Sequence, residues 1–246
     1  MHKNLSIMII ELNKKYPRTY HLPFSPGTTS DDKKLGADWF NDYKGRNILI
    51  TSKLDGENVS MNVQDVYARS HGAPTRHPWS LNMWNQNDGL YWRIRPLLGE
   101  TEMVYGENMY GIHSIEYDKL PAYWFMFAAN DGERWYSWDE VEEMAKILDV
   151  PTVPVLWRGV AESEEQIKEL IMKFVAEPEW YGPQREGIVM RTVESFPFEE
   201  NGEEAFPHHV CKWVRPHHVQ TDVFWTRNWK RAKLIYETEN IKKEEI

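Results

Sequence analysis

Lys53 opens the run Lys53-Leu54-Asp55-Gly56-Glu57-Asn58, and a lysine so placed can act as a nucleophile toward phosphorus. The attack needs a neutral amine. A free lysine titrates near 10.4, so presenting it unprotonated at pH 7 costs roughly 4–5 kcal/mol, which neighbouring positive charge or a metal must offset. Attack on the α-phosphate of a nucleoside triphosphate would give a phosphoramidate and release pyrophosphate. The same positive charge would stabilise the transition state. Such chemistry calls for companions: a group for the sugar, a carboxylate for the metal, and further cations for the phosphates.

Candidates for each follow in order along the chain. Arg69, in Ala68-Arg69-Ser70-His71-Gly72, ends an apparent strand. Glu107 is bracketed by Gly106 and Gly111 in a strand-like setting, and Phe125 and Phe127 lie in the continuous apolar run Tyr123–Ala129. Glu186 heads the β-branched run Gly187-Ile188-Val189-Met190-Arg191. Lys212 sits inside His209-Val210-Cys211-Lys212-Trp213-Val214-Arg215, where an unpaired ammonium would be expensive. Each also has a plainer reading. The two glutamates could be solvated strand-end charges, Lys212 could snorkel from an edge strand, Arg69 could pair with any nearby acid, and Phe127 could be core.

As an ordered set these residues resemble motifs I, Ia, III, IIIa, IV and V of the covalent nucleotidyltransferases, the polynucleotide ligases and mRNA capping enzymes. They look most like the ATP-dependent RNA ligases of the RNA ligase 2 type. The resemblance runs from about Asn47 to Arg215 and implies an α+β nucleotidyltransferase domain of antiparallel sheets flanked by helices. It implies that Lys53 becomes linked to AMP, that Asn58 lies near the adenylate phosphate, and that Arg69 contacts ribose and helps orient an RNA 5′-phosphate. Glu107 would hold the ribose hydroxyls, Phe127 would stack on adenine, Glu186 would support Mg2+ or Mn2+, and Lys212 would meet the α-phosphate. Thr51, at the end of the strand that carries Lys53, joins the nucleotide-binding set. Two positions depart from the pattern. Val214 stands where the family commonly has a second lysine, and Arg215, one place on, would face the other side of a regular strand. Ser52 precedes the nucleophile where many relatives carry an acid.

The elements that must position these groups are legible. Asn47-Ile48-Leu49-Ile50-Thr51 reads as a buried strand, Asp55-Gly56 as a turn, and Asn58–Val63 as a returning strand. Ser137-Trp138-Asp139-Glu140 and Ser163-Glu164-Glu165-Gln166 are capping-box patterns that open helices near Trp138–Leu148 and Glu164–Ala176. Val153–Trp157 reads as a strand between them, Leu81–Leu98 as partly helical, and Pro17–Gly27 as loop. Glu199-Glu200-Asn201-Gly202-Glu203-Glu204 is an acidic hairpin tip joining the strands of Glu186 and Lys212. We expect it to stand clear of any phosphate path.

Composition sets the outer bounds. The chain has 246 residues, 41% hydrophobic and 27% charged, with a net charge of −9, as expected of a globular protein with a substantial core. Cys211 is the only cysteine, which excludes an intrachain disulfide and suits a reducing cytoplasm. His208-His209 and His217-His218 read as exposed pairs. No apolar run approaches the ~20 residues of a membrane span. The negative charge is unevenly spread: Lys212, Arg215, Arg227, Lys230, Arg231 and Lys233 face a single acid, Asp222, and are interleaved with Trp213, Phe224, Trp225 and Trp229. That pattern suits single-stranded nucleic acid, making Arg215, Arg227 and Lys230 candidate RNA contacts beside Arg69; a helix with a solvated basic face would look alike.

The domain reading is 1–216 as the nucleotidyltransferase domain and 217–246 as a short basic, aromatic helical extension. About thirty residues follow Arg215, too few for an OB-fold. This favours an RNA ligase acting on 5′-phosphate and 3′-hydroxyl ends over a DNA ligase or a GTP-using capping enzyme. It leaves open a degenerate nucleotide- or RNA-binding module, and an accessory protein that holds the substrate.

Overall fold

The computed structural model describes residues 15–69, 73–85, 89–216 and 225–238. One sheet holds β1 (Tyr20–His21), β2 (Asn47–Lys53), β8 (Val155–Val160), β9 (Gly187–Thr192) and β13 (Val210–Val214), in the order β1-β13-β9-β2-β8. The other holds β3 (Glu57–Met61), β4 (Val66–Ala68), β5 (Met103–Asn108), β6 (Trp124–Asn130), β7 (Arg134–Trp135) and β10 (Phe196–Pro197), in the order β10-β7-β6-β5-β3-β4. Pairing is antiparallel throughout except between β1 and β13. The class is thus the α+β arrangement expected of the family resemblance.

Burial on both sides explains why β2 reads as a continuous apolar run. Ile48 and Ile50 point into a cluster with Ile188, Met190, Cys211 and Trp213 from neighbouring strands and Ile167, Ile171 and Phe174 from the helix Glu164–Ala176. Leu49, Thr51 and Lys53 point the other way, toward the second sheet. The outer face of that sheet carries Val59, Met61, Val104 and Met126 against Met83, Tyr91, Ile94, Val141 and Ala145. These covering residues belong to the one-turn helices α1 (Leu81–Trp84) and α2 (Leu90–Ile94) and to α3 (Trp138–Ile147), while Glu164–Ala176 is α4. The inner faces of the two sheets meet where Tyr105, Ala128 and Trp135 pack against Val210, Phe206 and Tyr16.

Local signals account for the ends of the longer helices. Ser137 forms a complete capping box with Glu140 at the start of α3. At α4 the box is half formed: Ser163 accepts from the Gln166 amide, but the Gln166 side chain accepts from Glu162 rather than from Ser163. The acidic tip is a hairpin of β11 (Glu199–Glu200) and β12 (Glu203–Glu204), turned by Asn201 and Gly202 at φ 54° and 82°, the left-handed pair such turns demand. It lies past the Thr192 end of β9, away from Lys53, which pairs with Gly187. The stretch Pro17–Gly27 departs from a plain loop, since β1 pairs in parallel with β13. His209 departs from the expected exposed pair. It is buried, its ring stacked on Phe196 at 4.0 Å and 7° and its Nδ1 2.9 Å from the Thr192 hydroxyl, whereas His208 is exposed; His217-His218 lies outside the described residues. Among the described residues no helix is long and apolar enough to cross a membrane.

Candidate active site

A cavity of about 490 Å³ opens between the sheets, and strand alternation decides what lines it. Thr51 and Lys53 pair with Val189 and Gly187, which pair in turn with Lys212 and Val214. Residues directly opposite in a ladder share a face, so this wall presents Thr51, Lys53, Val189, Lys212 and Val214 together. A side chain at position 187 would collide with the Trp213 carbonyl. The glycine after Glu186 therefore lets β13, and with it Lys212, approach β9 closely.

Lys53 Nζ donates to Glu186 Oε2 at 2.6 Å, with the lysine side chain 25% exposed and the glutamate 6%. Both flanking residues are fixed from beneath by an ion pair absent from the sequence reading. Arg185 and Glu179, fully buried, are joined at 3.1 Å, and both bond to the Ser52 hydroxyl. The same guanidinium caps the carbonyls of Phe174 and Pro178 at the end of α4. Ser52 and Arg185 immediately precede Lys53 and Glu186, so one buried pair locks the backbone behind both.

The opposite wall comes from β3, β5 and β6. Asn58 pairs with Glu107 across the ladder, and Glu107 Oε1 accepts from the Gly56 amide at 3.0 Å. Asp55 turns away from the cavity: its carboxylate accepts from Ser114 N, Ser114 Oγ and Ile115 N and anchors the turn after the nucleophile. Opposite Tyr105 and Gly106 the register of β6 slips by one residue, a bulge of the kind that re-aims a side chain. The extra residue is Phe127, which lines the cavity edge-on to Tyr16 at 5.0 Å. Arg191 donates to the carbonyls of Phe127 and Tyr136 and holds that bulge in place.

Beside Lys212, β1 brings His21, and the following loop brings Asp32. Asp32 Oδ1 stands 3.8 Å from Lys212 Nζ and 3.4 Å from His21 Nε2, and His21 Nδ1 lies 2.9 Å from Ser25 Oγ. Charge crowding shifts several titrations. Burial alone would lower the Lys53 pKa, but Glu186, Glu107 and Asp55 outweigh it and hold the ammonium above the ordinary lysine value. Burial raises Glu107 to about 7, opposed by Lys53, and raises Glu186 against the same lysine. Burial, then repulsion from Lys53, lowers Lys212 to about 8. Burial and Lys212 lower His21 to about 4.

The structure thus gathers Thr51, Lys53, Asn58, Glu107, Phe127, Glu186 and Lys212 in one cavity, with exposed Arg69 at its rim. The Thr51 hydroxyl donates to the Val189 carbonyl at 3.3 Å. Arg215, Arg227 and Lys230 do not line this cavity. Val214 does, on the wall of Lys212, while Arg215 is half-buried just past β13 with its main-chain amide bonded to the Glu186 carbonyl at 3.0 Å. Alternation along the strand had placed Arg215 off that wall. Tyr16, His21, Asp32 and Arg191 also line the cavity; no local sequence signal singles them out. Among the described residues no three His, Cys, Asp or Glu side chains form a metal cluster.

Comparison with known proteins bears on this geometry. The RNA ligase family model matches residues 46–214, a span that holds every strand of the cavity except β1. No curated protein matches the chain. Among solved structures the fold is similar to a lysine-to-alanine variant of Naegleria gruberi RNA ligase with ATP and Mn, at 17% identity and TM-score 0.55, covering 85% of this chain and 62% of that one. It is also similar to an archaeal ATP-dependent RNA ligase, at 13% identity and TM-score 0.53, covering 82% of this chain and 48% of that one. The chain spans about half to three-fifths of the length of these structures.

Proposed function

This chain belongs to the RNA ligase family, and from that premise we propose that it is an ATP-dependent ligase of RNA ends working through a lysyl-AMP intermediate on Lys53. The observation that carries the reading is the 2.6 Å contact of Lys53 with Glu186 in a cavity that also presents Glu107, Phe127 and Lys212.

In the first step the neutral Lys53 amine attacks the α-phosphorus of ATP. A nitrogen–phosphorus bond forms, the bond to the bridging oxygen breaks, the nitrogen gives up one proton to solvent, and pyrophosphate departs. Glu107 orients the nucleoside through its ribose hydroxyls, Phe127 stacks on adenine, and Lys212 with Asn58 meets the α-phosphate. In the second step an oxygen of an RNA 5′-phosphate, guided by Arg69 at the rim, attacks the adenylate phosphorus. The nitrogen–phosphorus bond breaks and Lys53 takes up a proton. In the third step an RNA 3′-hydroxyl attacks the activated 5′-phosphate, its proton is lost, and AMP leaves.

The donor set fits a hard divalent cation such as Mg2+ or Mn2+. Of the carboxylates lining the cavity, Glu107, Glu57 and Asp32 already accept from Gly56, from Trp79 and Ser80, and from Thr29; Glu186 is then the one acid offered, which suits an ion that takes its other ligands from substrate phosphates and water, not from a protein cage. When bound, such an ion supplies positive charge to the phosphates. With Glu186 so engaged, Lys53 loses the counter-charge that keeps it protonated. Residues 1–216 are then the adenylylation domain and 217–246 its short extension; Arg227 and Lys230, exposed beyond the cavity, are the candidate RNA contacts there, together with the half-buried Arg215.

Incubating the chain with α-labelled ATP or GTP and Mg2+ or Mn2+, beside Lys53→Ala, tests the reading. ATP label should attach to the wild-type chain alone. Label on the variant, GTP in place of ATP, or no adduct at all would overturn it. Nicked duplex RNA, single-stranded RNA and nicked DNA offered to the adenylylated chain would then define the substrate.

A further inference from the structure

The loop that follows β1 is clamped onto the Lys212 wall. Leu22 N and Gly27 N donate to the carbonyls of Lys212 and Val214 at 2.8 and 2.9 Å, and a side chain at position 27 would strike the Arg215 carbonyl. The loop then returns along the other side of β1, where the His21 amide donates to the Lys33 carbonyl and the Leu35 amide to the His21 carbonyl, each at 2.8 Å. Asp32 is thereby delivered to the cavity beside Lys212. Its Oδ2 accepts from the Thr29 amide and hydroxyl, each at 3.0 Å, which leaves Oδ1 to face Lys212 Nζ at 3.8 Å and His21 Nε2 at 3.4 Å. From this geometry we infer that Asp32 is a positioning residue for the attack on ATP: it holds the Lys212 ammonium charged and aimed into the cavity, and His21 with Ser25 fixes Asp32 in turn. The inference rests on the ligase reading and adds to it residues that lie before the matched span 46–214.

The neighbours of His21 fix its tautomer. Ser25 Oγ accepts from the Val214 amide at 2.9 Å and keeps one proton to give; His21 Nδ1 lies at 2.9 Å and the Val214 carbonyl at 3.4 Å. Were Nδ1 the protonated nitrogen, the lone pair of Nε2 would face a carboxylate. Nδ1 therefore accepts from Ser25, and Nε2 carries its hydrogen toward Asp32. Charge balance gives Asp32 its task. Lys212 faces Lys53 on β2, Glu186 at the head of β9 and Arg69 at the rim, while Val214, the next residue on its own face, carries no charge. Burial, Lys53 and Arg69 favour the neutral amine; Asp32 and then Glu186 favour the ammonium. Glu186 is engaged by Lys53 at 2.6 Å and in the ligase reading passes to the metal, so Asp32 is the carboxylate that stays with Lys212 when substrate is bound. A neutral Lys212 could not counter the charge that grows on the α-phosphate.

Asp32→Asn and His21→Leu, beside the wild-type full chain, test this. Asp32 is 23% exposed on a loop, so its variant should fold, and a thermal midpoint checks both. The first readout is the titration of Lys212 in the ATP-free chain, followed through its acetylation rate by mass spectrometry. It should fall from about 8 by roughly one unit in Asp32→Asn, and by less in His21→Leu. The second is ATP affinity across pH 6 to 10, taken as the ratio of variant to wild type so that the titration of ATP itself cancels. Asp32→Asn should bind at least as tightly as wild type at pH 6, where Lys212 stays charged and a repelling carboxylate is gone, and roughly fivefold more weakly at pH 8. A loss equal at every pH, with the Lys212 titration unmoved, would make Asp32 mere scaffolding and overturn the inference; an unmoved His21→Leu would strike His21 from it. If the wild-type chain takes no label from ATP, the ligase reading fails instead, and the Lys212 titration still decides whether Asp32 governs that ammonium.

Discussion

Lys53 and Glu186 are held 2.6 Å apart on the same cavity wall, the ammonium donating to a carboxylate that is 6% exposed. The nucleophile and the carboxylate proposed for the metal thus neutralise each other before substrate arrives. A lysine with its pKa held up by such a partner is a poor nucleophile, and engaging Glu186 elsewhere is what would release it.

Glu186→Gln should slow adenylylation of Lys53 on the order of a hundredfold, even though the lysine loses a proton-retaining neighbour, because the metal loses its carboxylate. Label incorporation against metal concentration measures this. A variant as fast as wild type would remove Glu186 from the metal's binding set.

Lys212 titrates at about 8, so ATP affinity should weaken as pH rises through 8 and the ammonium is lost. Lys212→Gln should bind weakly throughout and lose that dependence. The stability of the ATP-free chain should move oppositely. The folded pKa lies below the unfolded value near 10.4, so between the two the unfolded state holds more protons and the Lys212 contribution to stability rises with pH. Isothermal titration of ATP and urea midpoints, each across pH 7 to 10, report the two trends.

Cutting the buried pair on one side, by Arg185→Met or Glu179→Leu, should cost about 3–5 kcal/mol of stability, because one charge stays buried alone. Replacing both, as Glu179→Leu with Arg185→Met, should cost less than the sum. Urea unfolding of the single and double variants gives the coupling, and equal additive losses would mean that the pair acts independently.

Phe127→Ala should weaken ATP binding by about 1–3 kcal/mol, the usual worth of a stacked base, while Phe127→Tyr should restore it. The measurement is the affinity for ATP beside that for inorganic triphosphate, which has no base and should bind both proteins alike.

How much was legible in the sequence follows from range of interaction. Lys53, Glu107 and Lys212 stand on strands and Glu186 at a strand's head; order and spacing only nominate them and the family resemblance brings them together, whereas alternation along a strand, a local property, does place Arg215 off the Lys212 wall. His21 and Asp32 could not. The strand of His21 is two residues long and exists because it pairs with Cys211 and Lys212, distant in sequence, and Asp32 lies in the loop that follows it. Glu179 and Arg185 sit in a loop whose burial only the end of α4 explains. Phe127 was nominated, but the register slip that turns it inward depends on how β5 and β6 align. His209 was misread because histidine pairs are usually exposed, and only its stacking on Phe196 reveals otherwise.

The acidic hairpin Glu199–Glu204 has a consequence for approach. It extends beyond the Thr192 end of β9, some five residues of strand from Gly187, opposite Lys53, or roughly 17 Å at the rise of a β-strand. Four exposed carboxylates stand at this end, whereas at the other end Lys53 and Lys212 are balanced by Glu186 and Asp32. An incoming polyanion is therefore turned away from the hairpin side, and this repulsion is strongest at low ionic strength, where the field reaches farthest.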